Sequence, residues 1–208
     1  NRINRKYDTA RFYVSVELLR QYFDHVAVTT DLITGFPGET EEEFEETISL
    51  ISQVHYDSLF TFILSPRPGT PAATMDDPTP KEEKNRRFDR LCAVQNAISE
   101  EIHNNYIGKT MRCLVDGRDK DMLTARTEGG RLVRFAGRDD LIGTYRYLTI
   151  TGATTWSLTA EDAIDRFVRE SGLDIAEYDA YFYGYPEVAD EILAALLRGD
   201  KRATSGLR

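Results

Sequence analysis

TTDLITGFPGET, residues 29–40, is the stretch whose reading decides the fold. The β-branched, apolar run from Val26 to Ile33 reads as a buried strand, and it breaks into a Gly-Phe-Pro-Gly turn. Glu39 and Thr40 then open an acidic helix. A strand that ends in a glycine turn at a helix start is how open α/β folds present backbone to a small ligand. The turn alone fits an ordinary βα connection equally well, because isolated glycine turns carry little specificity.

Working outward, residues 8–23 read as a helix with Asp8 or Thr9 as N-cap and Phe12, Val16, Leu19 and Phe23 on one face. After the turn, Thr40 caps a helix whose first turn is Glu41-Glu42-Glu43 and whose inner face is Phe44, Ile48 and Ile51. The acidic run Glu41 to Glu46 reads most simply as a solvated helix start. Ser58 to Leu64 is a second buried strand, followed by an irregular Pro-rich loop, residues 65–71. Residues 80–105 make a long amphipathic helix with Phe88, Leu91, Val94, Gln95 and Ile98 on one side. That rhythm means a parallel sheet with covering helices, the C-terminal part of an α/β barrel, over residues 1–106.

From Ile107 the texture changes. Residues 111–117, 122–128, 130–137 and 145–153 are short β-rich runs separated by Gly and Asp clusters, which predicts a small antiparallel, OB-like β-barrel over 107–160. Arg126, Arg131, Arg134 and Arg146 alternate with apolar residues, so several should share a solvent face with Phe135, Tyr145 and Tyr147. A basic, aromatic-bearing barrel face suits single-stranded or looped nucleic acid, and it also fits ordinary solvated strand surface. Past Thr159 the pattern turns helical: Ala160 to Gly172 with Ile164, Phe167 and Val168 inward, then a Tyr-rich link and a second helix from Pro186. This tail, 161–208, reads as the start of a further domain.

Composition bounds the rest. The 208 residues suffice for one large or two small domains, and 41% hydrophobic with 29% charged residues is ordinary for a globular chain. There is no apolar run long enough to span a membrane, no signal-peptide pattern and no initiating Met, so a cytoplasmic protein read from its middle is expected. The net charge is −9, yet residues 107–160 hold 9 Lys+Arg against 6 Asp+Glu. One basic module in an acidic chain suggests a localised polyanion contact. Cys92 and Cys113 lack CxxC spacing and read as plain core residues. His25, His55 and His103 have no metal-ligand spacing, and Asp116, Asp119 and Asp121 read as turn formers. No metal site is expected.

NRKY near the start, the run TTDLITGFPGETEEEFEET, FTFILSPRPGTPAA and the helix RxxRLCAVQNAIS resemble the C-terminal half of a radical-SAM tRNA methylthiotransferase of the MiaB type. Residues 107–158, closing with ITGATTWSL, resemble the TRAM domain of that family, and RPGTPAA favours its tRNA enzymes over those acting on a ribosomal protein. The resemblance implies a partial radical-SAM (β/α) barrel and 2-methylthiolation of an isopentenylated adenosine beside the anticodon, with S-adenosylmethionine and two 4Fe-4S clusters. It places Ile33, Gly35 and Glu39, with Phe62 and Ser65 of the next strand, around S-adenosylmethionine. Arg67 and Thr70 would face the substrate, and Lys109, Arg112, Arg126, Arg131 and Arg134 would meet the tRNA anticodon stem-loop. No DNA or membrane partner is implied. The family's CxxxCxxC motif is absent from this sequence, so the resemblance implies a chain inactive by itself.

The tail carries a second resemblance. YGxPEVADEIL with LLRGDKRATSGL, residues 183–207, resembles the opening of an ASCH domain, whose hydrolase members would use Lys201 and Thr204. A helix C-cap followed by a basic tail fits the same residues. Two alternatives to the methylthiotransferase reading stay open: a non-catalytic RNA-binding module on a radical-SAM scaffold, or an ASCH-type RNA-binding or nucleoside amidohydrolase fusion. An open sheet edge in the half-barrel should make it poorly stable.

Overall fold

The computed structural model describes residues 9–23 and 26–171. These divide near Asn105 into two compact units, with residues 154–156 belonging to the first. NRKY, His25 and the tail with Lys201 and Thr204 lie outside the described residues.

The first unit holds α1 (Thr9–Tyr22), β1 (Thr29–Thr34), α2 (Glu41–Val54), β2 (Ser58–Ile63) and α3 (Lys81–Asn104). The strands pair in parallel, Thr29 opposite Ser58 through Thr34 opposite Ile63, with α2 as the crossover. Thr40 caps α2: its hydroxyl accepts from the Glu43 N–H, and the Glu43 carboxylate accepts from the Thr40 N–H. That reciprocal pair satisfies two otherwise orphaned donors. His55 ends the helix at φ 51°, and the Arg20 guanidinium donates to the carbonyls of Val54 and His55. The core is Val16, Phe44, Ile48, Ile51, Val54, Tyr56, Leu91 and Ile98. One strand–helix–strand unit with α3 against it is what the described residues show of the expected (β/α) barrel.

Three expectations change here. β1 and β2 are not buried on both sides; side chains alternate, and Ile33, Phe60 and Phe62 are exposed on the face away from the helices. Only Thr34 of β1 is fully covered. α1 buries Val16 but leaves Leu19 and Phe23 exposed, because its contact with the core is narrow. The run after Thr40 is not simply solvated, since Glu41 and Glu45 pair with arginines of α3.

The second unit is a closed barrel in the order β3–β4–β5–β7–β6. Its strands are β3 (Thr110–Asp119), β4 (Met122–Thr127), β5 (Leu132–Phe135), β6 (Tyr145–Ala153) and β7 (Leu158–Asp162), and α4 (Ala163–Ser171) comes after them. All neighbours run antiparallel except β5 and β7, which are parallel. Cys113, Val115, Leu123, Ala125, Val133, Phe135, Leu148, Ile150 and Leu158 fill the interior.

The fifth strand corrects the helix expected from Ala160. Leu158, Ala160 and Asp162 are buried while Thr159 is exposed and Glu161 half-buried, a period of two that belongs to a strand. The helix begins three residues later. Gly152 permits the pairing: a Cβ there would sit 2.6 Å from Thr159 Oγ1. Closure removes the sheet edges in this unit.

Candidate functional site

In the first unit the site candidates gather at the end of β1. Gly35 has φ 71°, a left-handed conformation that glycine adopts without penalty, and the Lys84 stem lies 3.0 Å from where a Cβ would stand. The Gly35 N–H donates to Glu39 Oε2 at 3.0 Å. Arg87, nearly buried on α3, donates to the Glu39 carbonyl at 2.8 Å and approaches Oε2 at 3.4 Å. Glu39 is therefore a brace that ties the turn to α3. Arg87 also reaches Glu83 and Glu41, while Arg86 and Arg90 add Glu41, Glu83 and Glu45. Hydrogen bonds from Arg86, opposed by partial burial and helped by Arg87, hold the Glu83 carboxyl at about 2.

Ile33 and Phe62 are register partners and stand side by side on the open sheet face, with Phe60 opposite Asp31. Ile33, Phe60 and Phe62 together form an exposed apolar ledge. Ser65 is exposed just past β2, and Arg67 and Thr70 form an exposed turn in which the Thr70 hydroxyl donates to the Arg67 carbonyl at 2.7 Å. The structure thus joins Ile33 to Phe62 and Gly35 to Glu39, and it leaves Arg67 and Thr70 engaged with each other.

In the barrel the outward rows are set by the register. Tyr145, Leu114, Arg126 and Leu132 lie in one line across β6, β3, β4 and β5, and Arg112 stands opposite Tyr147. The Arg112 guanidinium lies 3.8 Å from the centroid of the Tyr145 ring. Lys109 lies over Tyr106 at 5.3 Å. Other arginines on this surface meet carboxylates: Arg126 with Asp116, Arg134 with Asp119, Arg118 with Asp139. Burial pushes the Asp116 carboxyl up, but hydrogen bonds from Thr124 and Arg126 together hold it below the usual carboxylate range.

Three residues leave the expected solvent face. Phe135 is fully buried in the barrel interior. Arg131 is 8% exposed, with its guanidinium 4.6 Å from the Tyr106 ring centroid, because it sits at the end of the 127–131 hairpin and not within strand alternation. Asp116 and Asp119, expected to form turns, instead hold arginines. Arg146 turns from solvent to the buried carboxylate of Asp162 at 2.7 Å. Sequence reasoning missed Asp162, whose only signal was its place just ahead of an amphipathic helix.

Neither thiol is placed to act. Cys92 packs against the Thr61 hydroxyl at 3.6 Å, and burial, with Glu128 nearby, pushes the Cys113 thiol up to about 12. Among the described residues no three or more His, Cys, Asp or Glu are grouped to hold a metal ion. His103 instead bonds the Thr154 carbonyl through Nδ1 at 2.7 Å. Among the described residues no helix is long and apolar enough to cross a membrane.

Residues 104–161 match the TRAM domain family. Over 164 residues the chain is 44% identical to the tRNA-2-methylthio-N(6)-dimethylallyladenosine synthase of Clostridium botulinum strain Langeland, covering 77% of this chain and 36% of that protein. It is 46% identical over 168 residues to the synthase of the same name from Desulfitobacterium hafniense strain Y51, covering 79% of this chain and 37% of that protein. The Bacillus subtilis strain 168 synthase is 44% identical over 160 residues, covering 76% and 31%. The chain thus spans about a third of the length of these curated relatives. The resemblance to MiaB-type methylthiotransferases with a TRAM domain is borne out; these matches do not address the ASCH-like tail.

Proposed function

We propose that this chain forms the TRAM-bearing part of a tRNA methylthiotransferase, an enzyme that places a methylthio group on carbon 2 of an isopentenylated adenosine in tRNA. The observation that carries this reading is identity of 44–46% over 76–79% of the chain to synthases named for that reaction. Residues 1–106 would supply part of the catalytic barrel and 107–160 the contact with the tRNA anticodon stem-loop, in the cytoplasm.

S-adenosylmethionine would supply the methyl group and the radical. The exposed ledge of Ile33 and Phe62 would take its adenine, with Ser65 exposed just past the end of β2. Glu39 and Gly35 act one step back: their mutual hydrogen bond and Arg87 hold the turn in shape. Iron–sulfur clusters do not fit the cysteines present, since Cys113 is buried in the barrel and Cys92 lies on α3 in the other unit. That misfit favours a second reading, in which this chain contributes RNA contact and scaffold while the chemistry uses residues outside it.

The test is nucleoside mass spectrometry of tRNA from a strain lacking the gene that encodes this chain. Loss of the 2-methylthio group with accumulation of isopentenyladenosine is the expected result. An unchanged level of 2-methylthio-isopentenyladenosine would overturn the proposal.

A further inference from the structure

Several surface arginines and lysines of the barrel could meet a polyanion, but their surroundings differ sharply. Arg126, Arg134 and Arg118 each hold a carboxylate. A phosphate approaching them would be repelled by that carboxylate or would have to displace it. Arg112 and Lys109 have no ion pair among the described residues, and each lies against an aromatic ring. Tyr145 is 55% exposed, so the Arg112–Tyr145 stack is open to solvent. Thr110 and Thr149, hydrogen-bonded to each other at 2.9 Å, link β3 to β6 beside Arg112, with Thr149 itself buried and Thr110 half-buried.

From this we infer that the barrel takes an unpaired, looped RNA strand on the β3–β6 side, with a base stacked on the Arg112–Tyr145 pair and phosphates at Lys109 and Arg112. The β4–β5 arginines stay with their aspartates and serve the barrel. This rests on the tRNA reading above and narrows it to one strand pair. A stacked guanidinium and phenol ring offer a flat π surface, which recognises the face of a splayed base; bases within a duplex have that face covered. The occupant is therefore single-stranded at the contact.

The test uses the full chain and fluorescence anisotropy with a labelled RNA hairpin bearing an unpaired loop, against a blunt duplex of the same stem. The hairpin should bind at least about tenfold more tightly than the duplex, and Arg112→Ala and Tyr145→Ala should each weaken it about tenfold. Tyr145→Phe keeps the ring and should retain binding, which separates stacking from a folding defect. The paired exchange Asp116→Asn with Arg126→Gln removes an ion pair without changing net charge, and should leave affinity within about twofold, as expected for a pair that does not touch RNA. Loss of binding in that pair with Arg112→Ala unaffected would overturn the assignment. Equal affinity for duplex and hairpin would overturn it too. If the unsubstituted chain binds no RNA, the inference falls, while the methylthiotransferase reading is still decided by the tRNA nucleosides.

Discussion

Asp162 joins the barrel to the helix after it through one carboxylate. Oδ2 accepts from Arg146 Nε at 2.7 Å, and Oδ1 accepts from the N–H groups of Ile164 at 2.9 Å and Asp165 at 3.4 Å. Its side chain is 1% exposed and that of Arg146 16%, so neither charge is well hydrated if the other is lost. Breaking one partner of a buried pair is costly because the other charge remains buried. Asp162→Ala is therefore expected to lower unfolding free energy by about 3–5 kcal/mol, as cap and ion pair go together. Asp162→Asn, which keeps an acceptor for the helix N–H groups, should cost clearly less. Urea denaturation of the three proteins checks this; a loss below about 1 kcal/mol for the alanine variant would show the pair to be dispensable. Arg131 makes the complementary point. Expected with Arg134 on one solvent face, it lies three residues before it and so has the parity of the buried Val133 and Phe135, and Gly130 at φ 77° with the Thr127–Arg131 hydrogen bonds brings its guanidinium against Tyr106.

At the scale of elements, α2 and α3 are joined by charge as well as by Phe44, Ile48 and Leu91. Arg87 is the centre, with its side chain 7% exposed and bonds to Glu83 at 2.9 Å, Glu41 at 3.1 Å and the Glu39 carbonyl at 2.8 Å. Arg90 pairs with Glu45 near the surface, both side chains 40% or more exposed. The two should differ widely when removed. Arg87→Ala is expected to cost about 3 kcal/mol or more, since it leaves Glu39 and Glu83 without their shared donor. Arg90→Ala should cost far less than Arg87→Ala, as exposed pairs contribute little. Chemical denaturation of both variants tests the contrast, and equal losses would refute it. These elements were largely legible in the sequence. The strand–turn–helix around Gly35, the capping pair Thr40 and Glu43, and the Leu91–Gln95–Ile98 face of α3 are set by periodicity and caps. Pairing over distance was not legible. Nothing local to Glu41 or Glu45 announces arginines some 45 positions away. Likewise, β7 is five residues long and runs directly into α4, so its period of two was too short to stand apart from the helical pattern of 163–171.

For the whole molecule, charge sets how any RNA contact must work. The chain carries −9 overall with a sequence pI near 4.9, so its long-range field repels a polyanion, and the excess of cations in 107–160 is small. Read from sequence, the outward arginines suggest a steep salt dependence shared among Arg126, Arg134 and their neighbours. The structure commits most of those charges within the barrel, to Asp116, Asp119 and Asp139. Only counterions displaced by phosphate contacts enter the salt slope, and internal ion pairs displace none. With Lys109 and Arg112 as the contacting cations, log affinity for single-stranded RNA should fall against log salt with a slope of about −1.4. Adding Arg118, Arg126 and Arg134 to the contact would give about −3.5. A titration of the full chain with the looped hairpin from low to moderate salt separates the two cases. A slope close to the shallow value means that stacking on Tyr145 carries much of the affinity, which is why binding would survive the acidic character of the chain. A slope close to the steep value would mean that the aspartates release their arginines to RNA, and the β4–β5 strands would then belong to the interface.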